Sequence, residues 1–358
     1  MPTALPPQLA QWAGRWPALA KLVKKPAAGS CVGIDVGSVA LKAVLLTRSP
    51  AGMRLERFAA APAPAGADKA GLAQAIRALF EKINPPREAE VVTAVSGPGT
   101  VVRAILFPKM TPQELRNALA FEAEKHIPFK LEGIYLDFAI LGEQPNNQME
   151  ILLGAARKEV VTEHLELLSQ AGITPHSVDL EMLALANAWE AGRPQAEGGV
   201  VGLIHVGARA TLLDFMRGGK LQFAREIPMG GGAFTQAISE ALKVESAEAE
   251  RLKIQPEARA QEVRSALQPA WDDWLNRCRT SFDFFENQYG ARVERLVLSG
   301  GSARLAGFKE WAQEASGLPT ELWSAGAGLG APGAAGLPEQ DAAAFSVAVG
   351  LAAREMAA

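Results

Sequence analysis

Two segments, one in each half of the chain, follow the same order of residue types. Residues 31–44 and 200–213 each read as an apolar strand, one polar residue, one apolar residue, a glycine, a small residue and a second apolar strand. A strand–turn–strand pattern that returns in this way is typical of a duplicated lobe. The repeat therefore predicts an α/β fold of two related lobes, with a site between them.

Length and composition support this interpretation and exclude several classes of protein. The chain has 358 residues, more than one compact core usually holds. Hydrophobic residues make up 48% and charged residues 21%, which argues against disorder, and a net charge of −3 argues against a nucleic-acid partner. Two distant cysteines exclude a disulfide framework and a cysteine-based zinc site. No membrane-spanning run or signal-peptide pattern is found, so we expect a cytoplasmic protein.

Changes of pattern along the chain predict four parts. These are an amphipathic arm at 1–29, lobe I at 30–99 and 173–197 with a C-terminal helix at 341–358, an inserted small α+β domain at 100–172, and lobe II at 198–340 with a helical subdomain at about 241–292. The inserted domain carries a capping box, since Thr111 precedes a helical pattern and Glu114 follows three residues later.

The arm combines apolar and basic residues at helical spacing. Trp12 and Trp16 lie on the apolar side, with Arg15, Lys21 and Lys24 between and after the apolar positions. Residues 1–25 could lie on an anionic membrane surface or on a partner. A helix folded back on its own domain, or a loosely ordered tail, explains the pattern equally well.

The first repeated turn has the residue types of a phosphate site. Glycine at position 37 lets backbone amides face an anion, and Ser38 adds a hydroxyl group. Asp35 could hold a magnesium-bound water, and Lys42 on the second strand could reach a phosphate. An ordinary hairpin is the alternative for this turn taken alone.

Further glycine turns follow apolar strands later in the chain. Gly230 and Gly231 open a predicted helix, whose N-terminus would offer free amides to an anion. Gly300, Gly301 and Ser302 follow the apolar strand 293–299 in the same way. Each could be a plain helix start, but together the turns predict a nucleotide held between two lobes.

These motifs carry a resemblance to known proteins. The ordered set of residues 33–38, 203–208, 230–231 and 297–302 resembles the phosphate and adenosine motifs of the actin-like superfamily, which has a duplicated, ribonuclease H-like fold. The sequences FPKMTPQEL (107–115), FEAEKHIPF (121–129) and AERLK (249–253) are similar to those of the PilM family of type IV pilus assembly proteins. The resemblance covers residues 30–358.

The resemblance implies a fold like that of the cell-division protein FtsA, with ATP and Mg²⁺ bound between the lobes. It implies phosphate ligands at Asp35, Gly37, Ser38, Lys42 and Gly207, and nucleoside contacts at Glu250, Lys253, Gly300, Gly301 and Ser302. It also implies a partner, the cytoplasmic N-terminal tail of a PilN-like inner-membrane protein. That tail would dock in a groove between lobe I and the inserted domain and link the chain to the pilus motor at the inner face of the inner membrane.

One position departs from the family pattern. The second phosphate motif normally has Asp where this chain has His205, and a neutral imidazole is a poor partner for magnesium. One hypothesis is that Mg-ATP binding is weakened and hydrolysis is slow or absent. The other is that Asp35 alone positions the metal while His205 hydrogen-bonds a phosphate.

Two other functions remain open at this point. A sugar or metabolite kinase of the same superfamily would need a carboxylate base near an acceptor hydroxyl, and 100–172 offers no such constellation. An FtsA-like membrane adaptor that polymerises is the third possibility. The sequence does not separate a pilus role from the related type II secretion role.

Overall fold

The computed structural model describes residues 29–50, 52–192, 198–326, 329 and 339–356. The strands are β1 (Ser30–Val36), β2 (Ala40–Ser49), β3 (Gly52–Pro62), β4 (Glu90–Val95), β5 (Thr100–Pro108), β6 (Ile134–Gln144), β7 (Gln148–Arg157), β8 (Ser177–Leu180), β9 (Val200–Val206), β10 (Thr211–Arg217), β11 (Lys220–Ile227), β12 (Val293–Ser299) and β13 (Thr320–Leu322). The α-helices are α1 (Lys69–Ile83), α2 (Pro112–Glu122), α3 (Lys158–Gln170), α4 (Glu181–Gly192), α5 (Gly231–Leu242), α6 (Ser246–Ile254), α7 (Ala260–Tyr289), α8 (Phe308–Ser316), α9 (Glu339–Ala342) and α10 (Ser346–Arg354).

Two five-stranded sheets of the described residues share one topology. The first has the order β3-β2-β1-β4-β8 and the second the order β11-β10-β9-β12-β13. In each, three antiparallel strands are followed by two parallel strands. The matching orders confirm the predicted duplication and the two-lobed α/β fold.

The first sheet is buried on both faces, which explains its nearly continuous apolar strands. Val32 and Ile34 of β1 pack in the cluster that contains α1, whereas Cys31 packs in the cluster that contains α10. Successive side chains of a strand point to opposite faces, so both faces must be apolar.

Small residues let the two central helices approach each other. A Cβ atom on Gly350 of α10 would lie 1.7 Å from the Ala184 carbonyl oxygen of α4, and one on Gly33 of β1 would lie 2.0 Å from the Ala348 carbonyl oxygen. A side chain at Gly350 would force the two helices apart, and one at Gly33 would force α10 away from β1. Because α4 also contacts β10 and β11, this packing sets how the two sheets face each other.

A third, antiparallel sheet has the order β5-β7-β6 and carries α2. The predicted capping box is confirmed: the Thr111 hydroxyl accepts from the Glu114 amide at 3.3 Å, and Glu114 Oε2 accepts from the Thr111 amide at 2.8 Å. Helix α3, which falls within the range predicted for the inserted domain, instead packs through Leu167 and Leu168 on the α1 side of lobe I.

The core of lobe II is aromatic and supports the second repeated hairpin. Trp271 and Trp274 of α7 are buried against Phe308 of α8. Trp274 Nε1 donates to the Thr211 hydroxyl at 3.0 Å, and that hydroxyl donates to the Met229 carbonyl at 2.7 Å. The indole therefore fixes the start of β10, directly after the glycine turn.

Some expectations differ from the structure or fall outside it. The alanine- and proline-rich stretch 59–67 has the composition of a surface loop, but it continues β3 as far as Pro62, because it pairs with β2 up to Ala40. The arm at 1–28 lies outside the described residues, so its predicted amphipathic helix is not tested. Within the described residues, no helix is both long enough and apolar enough to span a bilayer.

Candidate functional site

The hairpin of lobe I joins two of the predicted phosphate residues. Asp35 and Lys42 are opposite each other in the β1–β2 pairing, and Lys42 Nζ lies 2.8 Å from Asp35 Oδ2. The side chains are 13% (Lys42) and 6% (Asp35) exposed, so this is a buried ion pair. At the turn, a Cβ on Gly37 would lie 2.6 Å from the Ala40 carbonyl oxygen, which requires glycine, and Ser38 is exposed.

The hairpin of lobe II has different chemistry at the same positions. His205 is opposite Leu212, and its Nδ1 lies 3.1 Å from the Ser299 hydroxyl of β12. Burial lowers the pKa of His205 to about 4, the Lys42 cation lowers it as well, and the Asp35 carboxylate opposes both. The imidazole is therefore neutral at pH 7. These electrostatic effects also show that the two hairpins face each other.

The glycine turns of lobe II pack directly on one another. The Gly207 carbonyl oxygen accepts from the Gly231 amide at 2.9 Å and from the Ser302 hydroxyl at 3.3 Å. A Cβ on Gly230 would lie 2.5 Å from the same oxygen. The Gly232 amide is also occupied, by the Ala208 carbonyl at 2.7 Å. The expectation of free amides at this helix start was wrong for Gly231 and Gly232, because the neighbouring turn already uses them.

The predicted nucleoside residues Glu250 and Lys253 are close to this helix start. Lys253 Nζ donates to Gly231 O at 3.1 Å, to the Thr235 hydroxyl at 2.7 Å and to Glu250 Oε2 at 2.6 Å. An ammonium group has three protons, so every donor of Lys253 is used within the protein. The side chain of Glu250 is 41% exposed, so this carboxylate can still meet a ligand.

The last predicted turn follows β12. Gly300 has φ +93°, and a Cβ there would lie 2.4 Å from the Val206 carbonyl oxygen, so only glycine fits. At Gly301, by contrast, an added Cβ would meet no atom within 4 Å. The strand end of β12 therefore packs on the strand end of β9 through Gly300, and Gly301 borders open space.

Sequence reasoning missed Glu181, the first residue of α4. Loss of solvent around the carboxyl group raises the pKa of Glu181 to about 7, the Asp35 charge raises it further, and a hydrogen bond with the Ser96 side chain opposes the rise. Glu181 therefore lies close to the Asp35 and Lys42 side chains of the lobe I hairpin. Its signal in the sequence was a carboxylate directly after a short strand of lobe I.

Sequence reasoning also missed Arg209, the exposed residue at the tip of the lobe II turn. The equivalent position in the lobe I turn is Val39, which is 57% exposed. The turn is closed by a bond from the Gly207 amide to the Ala210 carbonyl at 3.0 Å. A guanidinium on this turn is well suited to phosphate.

Phosphate fits the two hairpins better than a divalent metal ion does. Lys42, Arg209 and the exposed Ser38 hydroxyl provide cations and a donor. Magnesium needs oxygen ligands, but the Asp35 carboxylate is paired with Lys42 and the matching position holds His205. The described residues also contain no group of three or more histidine, cysteine or carboxylate side chains placed to hold a metal.

A second site is a cavity of about 810 Å³ between the inserted domain and lobe II. Its walls are consecutive residues of β5 and β11 and the end of α7, and lobe I closes it near Gly97. The lining residues are Gly97, Pro98, Thr100, Val101, Val102, Arg103, Ala104, Ile105, Leu106, His126, Met182, Phe223, Ala224, Arg225, Glu226, Pro228, Phe284, Gln288 and Tyr289. Glu226 Oε2 accepts from the Gly97 amide at 2.7 Å, which bridges the lobes beside the cavity.

Comparison with known proteins agrees with this architecture. The family model described as type IV pilus assembly protein PilM matches residues 33–356. The chain belongs to the PilM family. A solved structure described as a PilM–PilN type IV pilus biogenesis complex is similar to it, with 29% identity, a TM-score of 0.80, and coverage of 92% of this chain and 99% of that chain.

A more distant similarity extends to the fold alone. The ethanolamine utilization protein EutJ from Carboxydothermus hydrogenoformans has 17% identity and a TM-score of 0.54, with coverage of 90% of this chain and 89% of that chain. The actin-like fold and the pilus assembly family expected from the sequence are both confirmed.

Proposed function

We propose that this PilM family member is a nucleotide-binding scaffold of type IV pilus assembly that binds the cytoplasmic N-terminal tail of a PilN-like inner-membrane protein. The observation that carries the proposal is the 810 Å³ cavity beside β5, in a chain that is similar to a PilM–PilN complex. Through this tail the chain would sit at the inner face of the inner membrane and connect to the pilus motor.

The cavity has the properties of a peptide-binding groove. Strands β5 and β11 are edge strands of their sheets, and consecutive residues of both line the cavity. Edge strands carry unpaired backbone groups that an extended peptide can use. Leu106 and Phe284 are 56% and 49% exposed, and large exposed apolar side chains that cluster in this way mark interaction sites.

The location differs in part from the groove predicted between lobe I and the inserted domain. The inserted domain provides one wall, as expected, but β11 of lobe II provides the opposite wall. Lobe I contributes Gly97, Pro98 and Met182 at the end of the cavity. Placing the tail in this cavity is part of our proposal.

The nucleotide part of the proposal concerns the facing hairpins, with ATP as the expected ligand. Lys42, Ser38 and Arg209 would contact phosphates, and Glu250 the nucleoside. Nucleotide would bias the closure of the lobes and so adjust the affinity for the tail. No observation favours a kinase or a polymer-forming adaptor, and membrane contact through residues 1–25 lies outside the described residues.

The test is a calorimetric titration with a synthetic peptide that carries the cytoplasmic N-terminal tail of a PilN-like protein. Leu106→Ser and Phe284→Ser are expected to weaken binding about tenfold, since each removes an apolar contact worth about 1–2 kcal/mol. Phe121→Ser is the matched control, because Phe121 is 81% exposed in the inserted domain and does not line the cavity. Equal affinity of all four proteins would refute this docking site.

A further inference from the structure

The two facing hairpins differ in charge in a way that bears on magnesium. In lobe I, Asp35 and Lys42 form a buried pair of zero net charge. In lobe II the matching residues, His205 and Leu212, carry no negative charge, and the turn adds the cation of Arg209. Together the hairpins present a net positive charge rather than the carboxylates that a divalent cation requires.

The carboxylate of Asp35 is held by the strand pairing itself. Lys42 is its cross-strand partner, at 2.8 Å, and both side chains are nearly excluded from solvent. A magnesium ion beside Asp35 would have to displace or approach the Lys42 ammonium, and like charges repel strongly where water is excluded. The ion pair therefore blocks the approach of a metal ion to the Asp35 carboxylate.

Arg209 is free to act on a ligand. It is exposed on the turn whose Gly207 carbonyl contacts Gly231 and Ser302, and no hydrogen bond or ion pair joins it to another residue that the structure describes. Guanidinium groups bind phosphate oxygens in pairs, through two parallel hydrogen bonds. Lys42 lies on the opposite hairpin, so cations would approach the phosphates from both lobes.

We propose that Arg209 and Lys42 hold the nucleotide phosphates in place of magnesium, so that this chain binds the metal-free nucleotide. The inference rests on the proposed nucleotide site and states which charged groups of that site bind the phosphates. The lobe I cation neutralises Asp35 before ligand binds, and the lobe II cation supplies the charge that a metal ion would otherwise bring to the phosphates.

The experiment is a titration of the full chain with ATP, by calorimetry, in excess magnesium chloride and in excess EDTA. We expect wild-type affinity to change less than about threefold between the buffers. Arg209→Gln should lose about tenfold or more in affinity in both buffers, because the variant cannot form charge-assisted hydrogen bonds with phosphate. Arg217→Gln, at another exposed arginine of lobe II outside the turn, should bind as wild type does.

The variant His205→Asp tests the same point from lobe II, because it adds a carboxylate at the position that matches Asp35. It should bind ATP about tenfold more tightly with magnesium than with EDTA. A wild-type affinity that falls tenfold in EDTA, or an Arg209→Gln variant that binds like wild type, would overturn this inference and leave the nucleotide site standing. No ATP binding in either buffer would overturn both.

Discussion

The two hairpins of this protein have one topology and two chemistries. In lobe I, Asp35 faces Lys42 across the β1–β2 pair, and in lobe II, His205 faces Leu212 across the β9–β10 pair. A glycine with positive φ follows the parallel neighbour of β1 and that of β9: Gly97 lies two residues after the end of β4, and Gly300 directly follows β12. The two hairpins therefore share a backbone but differ in their side chains. Lobe I carries an ion pair of zero net charge, whereas lobe II carries the neutral imidazole of His205 beside the cation of Arg209.

The largest expected difference between the lobes is at those two glycines. A Cβ on Gly300 would lie 2.4 Å from the Val206 carbonyl oxygen, whereas one on Gly97 would meet no atom within 4 Å. Gly300→Ala should cost more than about 3 kcal/mol of unfolding free energy, from backbone strain and the clash. Gly97→Ala should cost only the strain, about 1–2 kcal/mol. Urea unfolding of both variants is the measurement, and equal losses would contradict the close approach in lobe II.

The next largest effect concerns the lobe I ion pair. Lys42→Met leaves the carboxylate of Asp35 buried and unpaired, and should cost about 3 kcal/mol. The double variant Asp35→Asn with Lys42→Met should recover most of that loss, because it removes the charge as well as its partner. Urea unfolding of the single and double variants checks this. If the double variant were no more stable than Lys42→Met, Asp35 and Lys42 would not form a buried ion pair.

Acid should destabilise the protein partly through His205. The pKa of this side chain is about 4 in the folded state and about 6.5 in the unfolded state. Between these values the unfolded state binds more protons, so stability is present above pH 6.5 and is lost as pH falls toward 4. Between pH 7 and pH 4.5, we expect the unfolding free energy of His205→Gln to fall by about 2 kcal/mol less than that of wild type. Parallel stability curves for the two proteins would contradict a buried neutral imidazole.

Glu181 should act in the opposite direction. Its folded pKa of about 7 lies above the ordinary value of 4.5, so its contribution is present below pH 4.5 and is lost as pH rises through 7. The variant Glu181→Gln should therefore lose less stability than wild type between pH 5 and pH 8, by about 2 kcal/mol. Thermal or urea unfolding of both proteins at the two pH values measures this loss. If both proteins lost the same stability between pH 5 and pH 8, the Glu181 carboxyl group would be in solvent.

The smallest effect is expected at the tip of the lobe II turn. Arg209→Val copies Val39 of lobe I and should change the unfolding free energy by less than about 0.5 kcal/mol, since the side chain is exposed. A larger loss in urea unfolding would mean that Arg209 has a structural role, and its effect on ATP binding would then need another explanation.

Local sequence patterns were enough to predict the repeat, the glycine turns and the family. The strand–turn–strand pattern depends on neighbours in the chain, and positions such as Gly37 are recognisable because only glycine permits their close backbone approach. The capping box of Thr111 and Glu114 was predictable for the same reason, as its partners are three residues apart. The helix α3 was harder to assign, because its apolar face fits either of two neighbouring sheets.

Only the tertiary structure decided which residues that are distant in the sequence contact each other. The three protons of Lys253 are used by Gly231, Thr235 and Glu250. Helical spacing predicts only the contact with Glu250, which is three residues away on the same helix. Glu181 approaches Asp35 and Lys42 only because α4 packs between the sheets, and the cavity beside β5 exists only because two edge strands meet. Patterns along the chain determine backbone turns and strands, whereas burial, charge pairing and open space depend on which elements pack together.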